Sequence, residues 1–124
     1  MLVKVFMFFA AVFGFLGVAF GAIGGHFIKT QLSPDMFQIY EVGIRYMFYH
    51  AFALMGVTWA ATLWHSNLMP LAGFFFIFGI WLFSGSLLAY VFTGNTWLMT
   101  ITPFGGVALL LGWLSLALGL FRDE

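Results

Sequence analysis

The sequence predicts an all-α integral membrane protein: a single domain over residues 1–124, built as an antiparallel bundle of four transmembrane helices with short loops. Two observations predict this fold class. Only 6% of the residues are charged, whereas a soluble domain carries about 25% charged residues. Long uncharged runs, each long enough to cross a bilayer as a helix, alternate with short segments that contain Pro, Gly, Asn, Ser and Thr.

The composition also excludes several classes of function. Four Lys or Arg residues balance four Asp or Glu residues, so no basic patch for nucleic acid is available. The chain has no cysteine, which removes disulfides, cysteine nucleophiles and thiolate metal sites. We therefore expect the lipid bilayer to be the main partner and expect no nucleic acid.

The first predicted span covers residues 5–28, between Lys4 and Lys29. A secretory signal peptide is the competing interpretation, but the apolar run is too long for one and further membrane helices follow it. Glycines recur along this span at spacings of three and four, and Gly17, Gly21 and Gly25 form consecutive small-xxx-small pairs. This pattern predicts a face that a neighbouring helix backbone can approach closely. The predicted packing residues on this face are Gly14, Gly17, Gly21 and Gly24.

The second helix begins at Ser33-Pro34-Asp35, a serine cap followed by a proline at the first helical position and an acid in the first turn. A helix over residues 34–64 is longer than a bilayer core requires. We therefore predict an interfacial extension from residue 34 that precedes a span over 46–64, with Gly56 on its small face.

Residues 71–92 and 103–121 form the third and fourth predicted spans. The segments between the spans contain Pro70, Gly94 and Pro103, which favour turns and helix starts. Small residues again recur at helical spacing and predict packing faces: Gly79 and Ser86 in the third span, and Gly105, Gly112 and Gly119 in the fourth.

Four spans would place both chain ends on one side of the membrane and gather the polar residues at the other. The predicted polar cluster consists of His26, Glu41, Arg45, Tyr46, Tyr49, His50 and Thr102. The few Lys and Arg residues are divided evenly between the two sides, so the positive-inside rule does not determine the orientation.

Each polar pair in this cluster has a structural and a functional interpretation. Glu41 and Arg45 lie four residues apart, the spacing of a helical ion pair. Alternatively, a partly buried Arg45 bridges Glu41 to loop carbonyls such as those before Pro103, and so either locks the loops at this side or gates a polar cavity. His26 and His50 are expected at similar depth. A structural histidine bonded to a carbonyl or to Tyr46 is favoured, and a proton relay or a bis-histidine haem or metal site are the alternatives. No metal or cofactor is expected.

Several runs together resemble the domain of unknown function 423 family, over almost the whole chain. They include Gly21–His26, Tyr40–Ala51 with its Arg-Tyr-x-x-Tyr-His pattern, and Ile101–Gly106 with its Thr-Pro-x-Gly-Gly pattern. The resemblance implies a four-span protein of the bacterial inner membrane, with mitochondrial relatives, and implies no biochemical activity.

Two classes of function are compatible with these features. The first is a non-enzymatic structural or accessory protein that forms a homo-oligomer or joins a larger membrane complex. The second is a minimal carrier or proton-conducting protein that uses the polar cluster. Transporters place their sites near the membrane midplane, where this sequence offers mainly Ser84, Ser86, glycines and apolar residues, so the first class is favoured. No nucleophile–base or metal constellation suggests an enzyme.

Overall fold

The computed structural model describes residues 1–122, and over these residues the chain is helical with no strand. The four α-helices are α1 (Leu2–Ile23), α2 (Pro34–Leu63), α3 (Leu68–Thr93) and α4 (Thr102–Gly119). A π-helical segment, Gly24–Ile28, continues α1, and a 3₁₀ segment, Thr96–Thr100, precedes α4.

The ends of the helices follow from local sequence. The hydroxyl of Ser33 accepts a hydrogen bond from the backbone N–H of Met36 at 3.2 Å, which caps α2 as the sequence predicts. At the C-terminal end of α3, Gly94 adopts the left-handed conformation with φ of 70°. A residue with a side chain would be strained there, so the glycine allows α3 to stop and the chain to turn.

Three helical stretches are long and apolar enough to cross a membrane: Leu2–Ile28, Leu68–Thr93 and Thr96–Gly119. The longest helix, α2, has 30 residues but does not meet this criterion of length and composition. Its first half carries Asp35, Glu41 and Arg45, and its second half carries further polar side chains, which lower its hydropathy. Composition therefore supports three of the four predicted spans.

Helix α3 lies at the centre of the molecule. Over the most apolar part of each helix, 56% of the residues of α3 are buried, against 22% for α1 and 22% for α4. Helix α3 packs against both α2 and α4, whereas α1 packs mainly against α2. In this arrangement α1 and α4 are the outer helices, on either side of the α2–α3 pair.

Glycines at intervals of seven allow α4 to approach α3 closely. A β-carbon on Gly105 would collide with the backbone of Phe83, and one on Gly112 would meet the ring of Phe76 at 2.7 Å. The remaining predicted packing positions with a neighbour of this kind are Gly17 beside Phe48, Gly24 beside Tyr40, Gly79 beside Leu109 and Gly119 beside Met69. Gly73, which is not part of the predicted packing faces, would likewise meet the ring of Phe6 if it carried a β-carbon.

Three of the predicted packing glycines have no such neighbour. Among the described residues, nothing lies within 4 Å of the position that a β-carbon would occupy on Gly14, Gly21 or Gly56. Within residues 1–122 these glycines therefore do not pack closely against another helix of the same chain: Gly21 borders the open cavity between α1 and α2, and Gly56 is exposed.

Candidate functional site

The predicted polar cluster is divided in the structure. His26 is exposed on the π-helical segment, where its ring contacts Phe27 at 6.4 Å between ring centroids. His50 is buried, with 5% of its surface exposed. Because the hydroxyl of Tyr40 donates to the carbonyl of Phe20, His26 lies level with the part of α2 before Tyr40. His50 lies ten residues beyond Tyr40, roughly 15 Å further along the helix.

The expectation that the two histidines share a depth and a site is therefore wrong. The first residue of α4, Thr102, contacts Ser86 of α3, whereas Tyr40 of α2 contacts Phe92, which lies further along α3. The part of α2 before Tyr40, and His26 beside it, therefore lie beyond the start of α4. Among residues 1–122, no group of three or more His, Cys, Asp or Glu residues is placed to hold a metal ion.

Glu41 and Arg45 are both exposed and, within residues 1–122, neither forms an ion pair or a side-chain hydrogen bond. They line a cavity of about 170 Å³ between α1 and α2, beside Gly21, Gly24 and Gly25. Both interpretations of this pair need correction. Among the described residues the helical ion pair does not form, and Arg45 is neither buried nor bonded to the carbonyls that precede Pro103.

Thr102 contributes to packing rather than to a polar surface. The hydroxyl of Ser86 donates to the carbonyl of Phe83 at 3.0 Å, and it lies 2.5 Å from the hydroxyl of Thr102. A hydroxyl has one proton to donate, so Thr102 is the donor to Ser86. This bond joins α3 to the first residue of α4.

His50 connects α2 to α4 through Trp113, which is not part of the predicted polar cluster. The indole N–H of Trp113 donates to Nε2 of His50 at 3.0 Å, and Nδ1 of His50 lies 2.8 Å from the carbonyl oxygen of Tyr46. A ring nitrogen that accepts a hydrogen bond carries no proton, so the proton of a neutral imidazole must be on Nδ1. The two contacts together select the neutral Nδ1–H tautomer.

A cleft of about 720 Å³ lies between α2 and α4, and both partners of the hydrogen bond between Trp113 and His50 line it. One wall carries Tyr46, Tyr49 and His50 of α2, and no Lys, Arg, Asp or Glu among the described residues lines it. The ring of Tyr46 stacks on that of Phe83, with centroids 4.7 Å apart. The rest of the lining comes from α3 and α4: Phe83, Pro103, Gly106, Val107, Leu109, Leu110 and Trp113.

A second cleft lies on the opposite side, between α1 and α3, with a volume of about 320 Å³. Its walls are apolar side chains and small residues, including Phe9, Leu16, Ile80 and Gly85. It contains no tyrosine, histidine or charged residue of the described chain. Of the two clefts, only the one between α2 and α4 combines hydroxyl groups with an apolar wall.

The apolar helices and the near absence of charge define an integral membrane protein. A family model described as "Protein of unknown function (DUF423)" matches residues 20–106. The chain therefore belongs to this family, as the resemblance implies. It is an integral membrane protein of the bacterial inner membrane.

Three relatives illustrate how far the similarity extends. A UPF0382 membrane protein of Haemophilus influenzae is 35% identical over 114 residues, which cover 92% of this chain and 91% of the relative. The UPF0382 membrane protein YwdK of Bacillus subtilis is 36% identical over 112 residues, covering 90% of this chain and 91% of the relative. The UPF0382 inner membrane protein YgdD of Escherichia coli is 35% identical over 115 residues, covering 92% and 87% respectively. No solved structure matches the chain.

Proposed function

We propose that the protein is a non-enzymatic accessory protein of the inner membrane, and that α1 associates laterally with a helix of a second copy or of a larger membrane complex. The observation that carries the proposal is a glycine-lined face of α1 and its π-helical continuation, which borders the cavity between α1 and α2 and which no other helix of the described chain covers. Gly14 and Gly21 of α1 and Gly25 of the π-helical segment share this face at spacings of seven and four residues, and nothing in the described chain lies within 4 Å of their β-carbon positions. Small residues that a chain does not use for its own packing offer close approach to another helix in lipid.

We also propose that α2 crosses the bilayer, so that the chain spans it four times with neighbouring helices antiparallel. The order of contacts supports this arrangement. Along α4, Gly105, Gly112 and Gly119 meet residues of α3 in descending order, Phe83, Phe76 and Met69. Along α1, Gly17 meets Phe48 and Gly24 meets Tyr40 of α2, again in descending order.

A carrier or proton-conducting protein is the second candidate, and the α2–α4 cleft is the observation that favours it. Proton conduction through His50 has less support than carriage of a small molecule. Both ring nitrogens of His50 are engaged, so protonation would place a second donor on Nε2 and break the bond from Trp113. His26 is too distant to relay a proton to His50 directly.

Lateral association can be tested with a bulky residue on the open face of α1. We expect tagged protein, purified from its native membrane in mild detergent, to appear by native mass spectrometry as an oligomer or with a stoichiometric partner. Gly21→Leu should weaken this association about tenfold or more, without lowering thermal stability, because Gly21 has open space around it.

Gly56→Leu is the matched control, since Gly56 of α2 also has no neighbour within 4 Å but lies on a different helix. It should leave the association unchanged. A wild-type protein that is monomeric and without a partner in its native membrane would overturn the proposal, and so would equal association of wild type and Gly21→Leu.

A further inference from the structure

The cleft between α2 and α4 has the size and position of a binding site for a small amphipathic molecule. Its volume of about 720 Å³ lies within the range of about 300–1,000 Å³ that is typical of ligand pockets. The cleft opens sideways: Tyr49, Val107 and Leu110 on its edges are 53%, 54% and 70% exposed. Because the helices lie in a membrane, a ligand would enter from the lipid rather than from water.

One end of the cleft offers hydrogen-bond donors that the described part of the chain leaves without an acceptor. No hydrogen bond to another group of residues 1–122 engages the hydroxyl of Tyr46 or of Tyr49. Side chains on a helix lean toward its N-terminus, so these hydroxyls lie toward the end of the cleft that Pro103 lines. His50 is not a donor to the cleft, because Trp113 and the Tyr46 carbonyl occupy both of its nitrogens.

The charges around the cleft restrict the head group that it can take. No cation or anion of the described residues lines it, and Arg45, although adjacent to Tyr46 in sequence, lines the separate cavity between α1 and α2. A phosphate head group would therefore find no counter-ion at this position. The hydroxyls instead suit an uncharged acceptor such as a carbonyl oxygen.

The walls of the cleft suit a flat head group and a hydrocarbon tail. The aromatic rings of Tyr46, Phe83 and Trp113 line it, and such rings pair favourably with another planar ring in offset or edge-on contact. Below the tyrosines, Val107 and Leu110 continue along α4 toward Trp113. From Pro103 to Trp113 this wall runs roughly 15 Å along the membrane-embedded helix.

From this combination we infer that the α2–α4 cleft binds an isoprenoid quinone, with one quinone carbonyl oxygen accepting hydrogen bonds from Tyr46 and Tyr49 and the tail along Val107 and Leu110. The site is separate from the association face proposed on α1. Loss of quinone binding and loss of lateral association are therefore distinguishable outcomes.

The test uses the full chain in phosphatidylcholine nanodiscs with a photoreactive azido-ubiquinone as the probe. We expect labelling of peptides that contain Tyr46–His50 or Pro103–Trp113, with competition by unlabelled ubiquinone or menaquinone and none by added phosphatidylglycerol. The double variant Tyr46→Phe with Tyr49→Phe keeps both rings and removes both hydroxyls. It should weaken binding about tenfold or more, whereas Tyr90→Phe, on α3 and outside the cleft, should bind as wild type.

A second variant tests the site without touching the hydroxyls. Nothing lies within 4 Å of the β-carbon position of Gly106, which lines the cleft, so Gly106→Leu should fold and fill the space that the quinone needs. Labelling spread over the chain or confined to the α1–α3 cleft would overturn the inference. So would equal competition by phosphatidylglycerol, unchanged binding in both variants, or a protein helix found in the cleft.

Discussion

The two outer helices leave a cleft on each side of the α2–α3 pair, and the two sides differ in how they are joined and lined. On the α4 side, glycines bring the backbone of α4 against that of α3 at Gly105, and the cleft above carries hydroxyls and the His50–Trp113 bond. On the α1 side, glycines of α1 and its π-helical continuation meet the aromatic side chains Phe48 and Tyr40 of α2, and the cleft between α1 and α3 is apolar throughout.

This difference shows that an open groove between membrane helices is not in itself a site. Lipid tails are as apolar as the walls of the α1–α3 cleft, so lipid can fill it without selectivity. In the α2–α4 cleft, by contrast, the buried His50 that joins the helices lines the same cleft as the hydroxyls of Tyr46 and Tyr49, which no hydrogen bond within residues 1–122 engages. Selective recognition needs those polar groups.

The largest effect is expected at the closest backbone contact on the α4 side. Gly105→Ala would place a methyl group against the backbone of Phe83, which cannot move aside as a side chain can. We expect a loss of about 3 kcal/mol in the free energy of unfolding, the upper part of the range for overpacking, measured by equilibrium unfolding in mixed micelles.

Gly106→Ala is the adjacent control, because nothing lies within 4 Å of its β-carbon position. Its free energy of unfolding should stay within about 0.5 kcal/mol of wild type. Equal effects of the two substitutions would show that α4 does not pack on α3 through Gly105.

The bond between His50 and Trp113 should have the next largest effect, measured by a double-mutant cycle. His50→Ala leaves a cavity and an unpaired indole N–H, and should cost about 2 kcal/mol; Trp113→Phe should cost about 1 kcal/mol. We expect a coupling free energy of about 1 kcal/mol between the two positions. Strict additivity would mean that no bond joins them.

On the α1 side, Tyr40→Phe removes the hydrogen bond to the carbonyl of Phe20 and keeps the buried ring. We expect a loss of about 1 kcal/mol in the free energy of unfolding. Tyr90→Phe serves as the control, since no hydrogen bond of the Tyr90 hydroxyl is found among residues 1–122. A loss that is the same in both variants would argue against this link between α1 and α2.

The smallest effect is expected at the exposed charges. Arg45→Ala and Lys4→Ala should each change the free energy of unfolding by less than about 0.5 kcal/mol, because both side chains are exposed and neither is paired within the described chain. A large loss for Arg45→Ala alone, in the same unfolding assay, would restore a structural role for Arg45.

The helices themselves could be predicted from the sequence because their signals are local. Ser33 and Pro34 mark the start of α2, and Gly94 marks the end of α3. The membrane class follows from the near absence of charge. Each of these signals lies within a few residues of the feature that it predicts.

The site could not be predicted in the same way, because it depends on how each helix is rotated and how deep it lies. His50 and Trp113 are 63 residues apart in sequence, and both the core and the lipid face of a membrane helix are apolar, so periodicity does not show which residues turn inward. Hairpin connectivity places His26 and His50 toward the same end of adjacent helices but does not determine their depths.

The most direct measurement is the state of the His50 ring in the protein in nanodiscs, by ¹⁵N NMR with labelled histidine and tryptophan. We expect a neutral ring protonated at Nδ1, together with a ¹⁵N–¹⁵N coupling across the hydrogen bond from Trp113 Nε1 to His50 Nε2. A His50 ring protonated at Nε2, or an indole nitrogen of Trp113 without that coupling, would mean that α2 and α4 are not joined at this cleft.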